Sequence, residues 1–209
     1  MLRKTIKNIA LLDLQNFTAE ALRDIKKIES CAMLLIPKNA SDEWKNAYAK
    51  ITIRNVASII EVSYSKYSVL NGMVTLNDKN VSDDCLYIVN GIVILETVEK
   101  IPDLCVNGLL LKRKKSRYEM TRMNGRSVEV EDNVVIKPYP NTIEIDGDTV
   151  RSFDYNTLVA AGNNVDIDDD VTEQMLFDKK ITFAAGNEVK RRKNILGYVK
   201  VNSTVGNKI

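Results

Sequence analysis

Three aspartates at alternate positions are the residues whose types and spacing come closest to a known chemistry. Asp166, Asp168 and Asp170 form the D-x-D-x-D pattern that opens an EF-hand loop, in which alternate carboxylates converge on one Ca²⁺ ion. The pattern then fails, because Val171 stands at the sixth position, where glycine is needed, and Phe177 at the twelfth, where a bidentate glutamate belongs. The segment is therefore predicted to be a solvated acidic turn, without metal ligands.

Two basic runs, 112–117 and 190–193, are the candidates for binding phosphates. The first contains Lys112-Arg113-Lys114-Lys115 and Arg117, and the second is Lys190-Arg191-Arg192-Lys193. No aromatic residues alternate with these cations to stack on bases, and 30 basic against 28 acidic residues leave a net charge of only +2. We therefore expect outward strand faces here, and the composition argues against nucleic acid as a partner.

Missing residue types exclude most enzyme chemistries. The chain has no histidine, which is the usual general base near neutral pH and the commonest zinc ligand. It has neither a P-loop nor a dinucleotide-binding glycine loop. We therefore predict a protein that is not an enzyme, with no catalytic, cofactor-binding or metal-ligating residues and no cofactor. A histidine-independent carbohydrate-active enzyme is kept as the second alternative function.

The composition is that of a folded, soluble protein. Of the 209 residues, 44% are hydrophobic and 28% charged, close to globular averages. Asp13 interrupts the apolar run near the start, so no signal peptide is predicted, and no run is long enough for a membrane span. The three cysteines, Cys31, Cys85 and Cys105, form no CxxC pair, which favours free buried thiols and a cytoplasmic location.

The elements that must position these residues are indicated by a repeat. Asn-Gly recurs at spacings of 19, 17 and 17 residues, and an apolar run follows it in the first three copies: Asn71-Gly72, Asn90-Gly91, Asn107-Gly108 and Asn124-Gly125. A fixed period with a permissive residue predicts one bend per coil in a stack of parallel coils. Asn-Gly is also the commonest two-residue hairpin turn, so an antiparallel β-sandwich or meander remains the alternative fold.

In residues 1–62, alanine takes the place of the glycine. Ala10, Ala32 and Ala57 each precede an apolar run, at spacings of 22 and 25 residues, which leaves room for a helix on the return path. Thr18 is a candidate N-cap before Leu22, Ile25 and Lys26, and Ser41 before an apolar stripe formed by Trp44, Ala47, Tyr48 and Ile51. This part is predicted to consist of helix-containing coils.

Residues 63–209 are predicted to be all-β coils. Alternating apolar positions indicate strands at Val128/Val130, Val134/Ile136 and Ile143/Ile145, with a turn at Asp146-Gly147-Asp148. A second echo, 24 residues apart, relates the segment 159–165 to the segment 183–189. The final segment 195–201 is also predicted to be an apolar strand that is open to pairing.

The repeats resemble two known architectures. The first coils are similar to leucine-rich-repeat units in their period and strand-then-helix order, although none has the full L-x-x-L-x-L-x-x-N run. The glycine-bent remainder is similar to parallel β-helices, including the bactofilin type, which polymerises. The resemblance implies architecture only, and assigns no role to any residue.

Together these patterns predict a mostly β chain. We expect a right-handed β-solenoid of stacked parallel coils, with short helices in its N-terminal coils, forming a single domain over 1–209. A rigid solenoid face predicts a non-enzymatic scaffold that binds a protein partner. The alternative is a filament or structural scaffold that self-associates through its C-terminal coil, and no contact with a membrane is expected.

Overall fold

The computed structural model describes residues 4–63, 66–191, 195, 198–199 and 203–205. Contacts divide the chain into two compact units, residues 1–66 and 67–209, which are described one at a time. Both are built from parallel strand pairs, so the prediction of a mostly β chain of parallel strands is confirmed.

The first unit alternates strands with short helices. Its elements are β1 (Lys4–Asp13), α1 (Ala19–Arg23), β2 (Ile25–Pro37), α2 (Asp42–Tyr48) and β3 (Thr52–Val62). The sheet order is β1-β2-β3, and both pairings are parallel. The short helices predicted in residues 1–62 are thus confirmed.

Both predicted caps begin their helices. The Thr18 hydroxyl accepts a hydrogen bond from Ala21 N at 3.2 Å, and the Ser41 hydroxyl accepts one from Trp44 N at 3.2 Å. The first helix is shorter than its pattern predicted, because it ends at Arg23 and Ile25 already belongs to β2.

The bend of the first unit lies two residues before the predicted alanines. Asn8, Ser30 and Asn55 have φ values of 58°, 54° and 52°, in the left-handed region, whereas none of the three alanines does. Ile9 pairs with Cys31, and Cys31 pairs with Val56, so the three bends are stacked in register. Asparagine tolerates this conformation because its side chain bonds locally, so alanine was the wrong residue to assign to the bend.

The second unit starts with a sheet of four long strands. These are β4 (Lys66–Asn77), β5 (Cys85–Glu96), β6 (Asp103–Arg113) and β7 (Glu119–Val130), in the order β4-β5-β6-β7. Gly91 pairs with Gly108, and Gly108 with Gly125, in parallel. Since the Asn-Gly pairs lie inside parallel strands and not at hairpin tips, the antiparallel alternative is wrong.

The chain then builds two further sheets with shorter strands. The elements are β8 (Val135–Tyr139), β9 (Ile143–Ile145), α3 (Gly147–Ser152), β10 (Thr157–Ala161), β11 (Asn164–Ile167), α4 (Glu173–Lys179), β12 (Thr182–Ala185), β13 (Glu188–Lys190) and β14 (Ser203–Val205). The sheet orders are β14-β12-β10-β8 and β13-β11-β9. Val159 pairs with Phe183, and Ala161 with Ala185, which places the 24-residue echo in register.

Helices α3 and α4 overturn the prediction that residues 63–209 are all β. The segment Asp146-Gly147-Asp148, predicted to be a turn, begins α3, because the Asp146 carboxylate accepts a hydrogen bond from Thr149 N at 2.7 Å. Thr172 caps α4 in the same way through Met175 N, at 3.3 Å. Val150 of α3 and Leu176 of α4 are buried. Tertiary packing therefore stabilises helices that are too short to be stable alone.

The second unit is layered. The sheet of β4 to β7 packs one face against the sheet of β8, β10, β12 and β14 through an apolar cluster that includes Ile92, Leu109, Leu158 and Ala184. A separate cluster joins β10 and β12 to β9, β11, β13 and the two helices. Helices α3 and α4 therefore cover a different core from the one that the long strands share.

Candidate interaction surface

The basic run at 112–117 lies beside a matching row of carboxylates. Lys112 and Glu129 are direct neighbours in the register of β6 and β7. Ion pairs join the run to both adjacent strands and to the turn after β7: Lys112 to Glu129 at 3.4 Å, Arg113 to Glu96 at 3.5 Å, Lys114 to Glu131 at 3.3 Å and Lys115 to Asp132 at 3.7 Å. Residues 112–115 of the run are thus one side of a ladder of paired charges, which weakens their attraction for a polyanion.

A shallow cavity of about 200 Å³ lies at the end of this ladder. Its walls contain Glu96, Val98, Arg113, Lys115, Ser116 and Asp132. The Arg113 guanidinium also donates hydrogen bonds to the main-chain oxygens of Glu131 and Val134, at 2.8 and 2.9 Å. Because its cations already have partners in the protein, the cavity offers no unpaired charge to a ligand.

The second basic run is described only at its start. Lys190 lies 3.6 Å from the Asp166 carboxylate on the neighbouring strand. Arg192 and Lys193 lie outside the described residues. The predicted strand 195–201 is described only at Ile195, Tyr198 and Val199, all three buried, and there Tyr198 and Val199 are helical instead of extended.

The three aspartates of the D-x-D-x-D pattern have separate roles. Asp166 faces Lys190, and the Asp170 carboxylate accepts a hydrogen bond from Gly147 N at 3.0 Å, at the start of α3. The Asp168 N–H donates to Ile145 O at 2.9 Å. Over the described ranges, no group of three or more His, Cys, Asp or Glu side chains could hold a metal ion.

All three cysteines are free and buried. Cys105 is fully enclosed in β6, and burial raises the pKa of its thiol. A raised pKa keeps the sulfur protonated and therefore a poor nucleophile.

Two aromatic side chains on the helix side of the second unit are exposed. Tyr155, in the loop after α3, is 67% exposed, and Phe177, in the last turn of α4, is 70% exposed. We call α3, α4 and their adjoining loops, residues 146–156 and 168–180, the helix face. Single exposed apolar residues are ordinary, whereas exposed apolar residues that lie together are typical of interaction sites.

The backbone places these two aromatic residues close to each other. Asn156 N donates to Lys179 O at 2.8 Å, so the segment that carries Tyr155 lies beside the end of α4. Asn156 and Lys180, which lie just before β10 and β12, both have left-handed φ values, 61° and 52°. Phe177 lies only two residues before Lys179.

Polar contacts brace the two helices against each other. The Lys179 ammonium donates to Arg151 O at 3.0 Å and to Phe153 O at 2.8 Å, which satisfies carbonyls at the end of α3. At the other end, Asp170 accepts the bond from Gly147 described above. The helix face is therefore a cross-linked platform from which Tyr155 and Phe177 project.

Sequence reasoning did not identify Tyr155 or Phe177 as surface aromatics. One signal was present, because the 24-residue offset makes Phe153 and Phe177 equivalent in the echo. The Phe153 side chain is 5% exposed, whereas the Phe177 side chain is 70% exposed. Equivalent positions thus have opposite environments, because Phe153 packs into the apolar cluster of this unit and Phe177 does not.

No helix in the described part of the chain has the length and apolarity needed to cross a membrane. Comparisons with protein-family models, with curated proteins and with solved structures return no match for this chain.

Proposed function

We propose that this chain is a non-enzymatic scaffold that binds a protein partner through the helix face. The observation that carries the proposal is the pair of exposed aromatic residues, Tyr155 and Phe177, on a braced platform. Burying one such side chain stabilises a complex by about 1.5–3 kcal/mol. Aromatic anchors of this kind are frequent hot spots at protein interfaces.

The proposal includes an architecture of stacked coils. In the first unit, left-handed bends recur between paired neighbours, at Asn8, Ser30 and Asn55. In the second unit, paired residues with positive φ recur at Gly91, Gly108 and Gly125. Connections between parallel strands of one sheet are nearly always right-handed, which supports a right-handed solenoid. Stacked coils hold a surface in a fixed shape, so less entropy is lost when a partner binds.

Side-chain amides reinforce this stacking. Asn90 Nδ2 donates to Asn71 Oδ1 at 2.9 Å, and Asn107 Nδ2 donates to Asn90 Oδ1 at 2.8 Å. Later in the chain, Asn187 Nδ2 donates to Asn164 Oδ1 at 3.0 Å, and the main-chain N–H of Asn163 donates to the main-chain oxygen of Asn141 at 3.0 Å. These repeated contacts support a rigid scaffold.

We further propose that the protein works in the cytoplasm. Its three cysteines are free and buried instead of paired, which suits a reducing compartment.

Site-specific photo-crosslinking tests the proposed surface. Benzoylphenylalanine is placed at position 155 or 177 in the full chain, and at Glu99 as an exposed control outside the helix face. After irradiation in cells, we expect one protein to be crosslinked from both 155 and 177, and not from 99. Mass spectrometry identifies it.

Two results of this experiment would count against the scaffold proposal. Equal crosslinking from all three positions indicates random collisions, and no crosslinking from 155 and 177 removes the helix face as a binding site. Crosslinking to a second copy of the chain would favour the self-assembling alternative over a different partner.

A further inference from the structure

We infer that the segment docking on the helix face is a basic, arginine-rich stretch of the partner protein. The inference rests on the proposed function and specifies the chemistry of the partner. Two observations support it: the region that contains Tyr155 and Phe177 is rich in carboxylates, and the nearby Lys179 and Arg151 already bind groups of the same chain.

The charge of this part of the chain differs from that of the rest. Between Glu144 and Lys180 there are ten Asp or Glu residues against three Lys or Arg, and nine of the ten acidic residues are exposed. The remainder of the chain has 27 basic and 18 acidic residues. The near-neutral total therefore hides a strongly acidic region on a basic molecule, and such a region attracts cations.

Each exposed aromatic residue has an acidic residue next to it in the sequence. Asp154 precedes Tyr155, and its side chain is 61% exposed although it lies 3.3 Å from the Lys137 ammonium. Asp178 follows Phe177 and accepts a hydrogen bond from Gln174 Nε2 at 2.6 Å. Each exposed aromatic residue thus has an exposed acidic neighbour in the sequence, within the same acidic region.

Two of the three cations in this region are already engaged by the protein. The Lys179 ammonium donates hydrogen bonds to the main-chain oxygens of Arg151 and Phe153. The Arg151 guanidinium is paired with the Asp148 carboxylate. Of the three cations between Glu144 and Lys180, Lys180 alone has no partner described above, and Lys137, from β8, is paired with Asp154.

Arginine fits this combination better than other side chains. Its planar guanidinium stacks on an aromatic face while its N–H groups donate to a carboxylate, and it is weakly hydrated. An acidic segment would be repelled by the carboxylates. A neutral segment would contact the aromatic rings but would gain no attraction from the carboxylates. A divalent cation is disfavoured, because no metal-holding group exists among the described side chains.

A peptide with alternating arginine and glycine tests the charge preference directly. It is twelve residues long, and the control peptide has citrulline, a neutral isostere, in place of each arginine. Fluorescein-labelled peptides are titrated with the full-length protein and followed by anisotropy at low and at high salt. We expect the arginine peptide to bind at least about tenfold more tightly, with affinity falling as salt rises.

Matched protein variants locate the binding. Asp154→Asn with Asp178→Asn removes the two carboxylates beside the aromatics, and Glu61→Gln with Glu99→Gln removes two exposed carboxylates outside the region. We expect the first pair to weaken arginine-peptide binding by about two- to fivefold per carboxylate, as for exposed ion pairs. The second pair should leave it unchanged within twofold. Far-UV circular dichroism verifies that both variants are folded.

Some outcomes overturn the inference without touching the proposed function. Equal affinity for the arginine and citrulline peptides, or equal losses in the two variants, would show that the helix face does not select a basic segment. If positions 155 and 177 still crosslink to a partner protein in that case, the scaffold proposal stands. Failure of both experiments removes both proposals.

Discussion

Replacing Gly108 by alanine tests whether the glycines of successive strands are stacked. A Cβ atom at Gly108 would stand 3.0 Å from the carbonyl carbon of Gly91 and overlap its oxygen. Gly108 also has φ +139°, a conformation that L-residues rarely adopt. The substitution therefore combines a backbone strain with a steric clash against the neighbouring strand.

Two other glycines separate these effects. At Gly72, φ is +85° and no atom lies within 4 Å of an added Cβ, so alanine there introduces backbone strain alone. At Gly186, an added Cβ would stand 3.1 Å from the Gly162 carbonyl carbon and overlap its oxygen, without a left-handed φ. The three variants thus report strain, clash and their combination within one protein.

The expected magnitudes follow from these geometries. Backbone strain costs about 1–3 kcal/mol, and forcing atoms into a packed position costs about 1–3 kcal/mol. We therefore expect Gly72→Ala and Gly186→Ala each to lower the free energy of unfolding by about 1–3 kcal/mol. Gly108→Ala should lower it by about 2–6 kcal/mol, a large share of the total stability of a typical domain.

Urea denaturation followed by far-UV circular dichroism measures these differences. The single tryptophan, Trp44, lies in the first unit, so its fluorescence does not report directly on this sheet. A difference of 2 kcal/mol moves the urea midpoint by roughly 1 M. If Gly108→Ala is no more destabilising than Gly72→Ala, the glycines are not stacked and the parallel register is refuted.

Two further predictions concern contacts between neighbouring strands. Asn90→Ala removes two side-chain hydrogen bonds, and Asn71→Ala removes one. At about 0.5–1.5 kcal/mol per bond, the loss of unfolding free energy should be about twice as large for Asn90→Ala as for Asn71→Ala. Equal losses in thermal denaturation would contradict a stabilising role for these side-chain amide bonds. Main-chain N–H groups of Lys100, Val98 and Glu99 hold the pKa of Asp78 below its ordinary value. The Asp78 contribution to stability is therefore present above a pH of about 4 and is lost as the pH falls through the lowered folded-state pKa. Asp78→Ala should accordingly destabilise the protein at pH 7 and much less at pH 3, and an equal urea-midpoint shift at both pH values would exclude this role.

The recurrence of small and left-handed residues made the parallel stacking predictable. Asn-Gly at a nearly constant spacing marks positions where only glycine allows a neighbouring carbonyl to approach, as the contact of Gly108 with Gly91 demonstrates. Helix caps at Thr18 and Ser41 were equally readable, because a cap acts within three residues of its own position.

Features that depend on neighbours distant in sequence were not predictable in the same way. The sequence shows the basic run at 112–115 directly. Its pairing with Glu129 and Glu131 depends on the alignment of β6 with β7, which the sequence does not show. Helices α3 and α4 are as short as α1 and α2, but neither has apolar residues spaced along one side: α3 has only Val150, and the apolar residues of α4 are consecutive. Their stability comes from the core that they cover.

The exposure of the aromatic residues at the candidate site depends on tertiary structure alone. The sequence by itself determined where the chain bends, because backbone conformation at a bend depends on the residue that occupies it. Whether Phe177 is buried like Phe153 or exposed like Tyr155 depends on the residues that pack against it, and local sequence carries no information on that packing. Bends are local properties of the chain, whereas exposure is a property of the assembled layers.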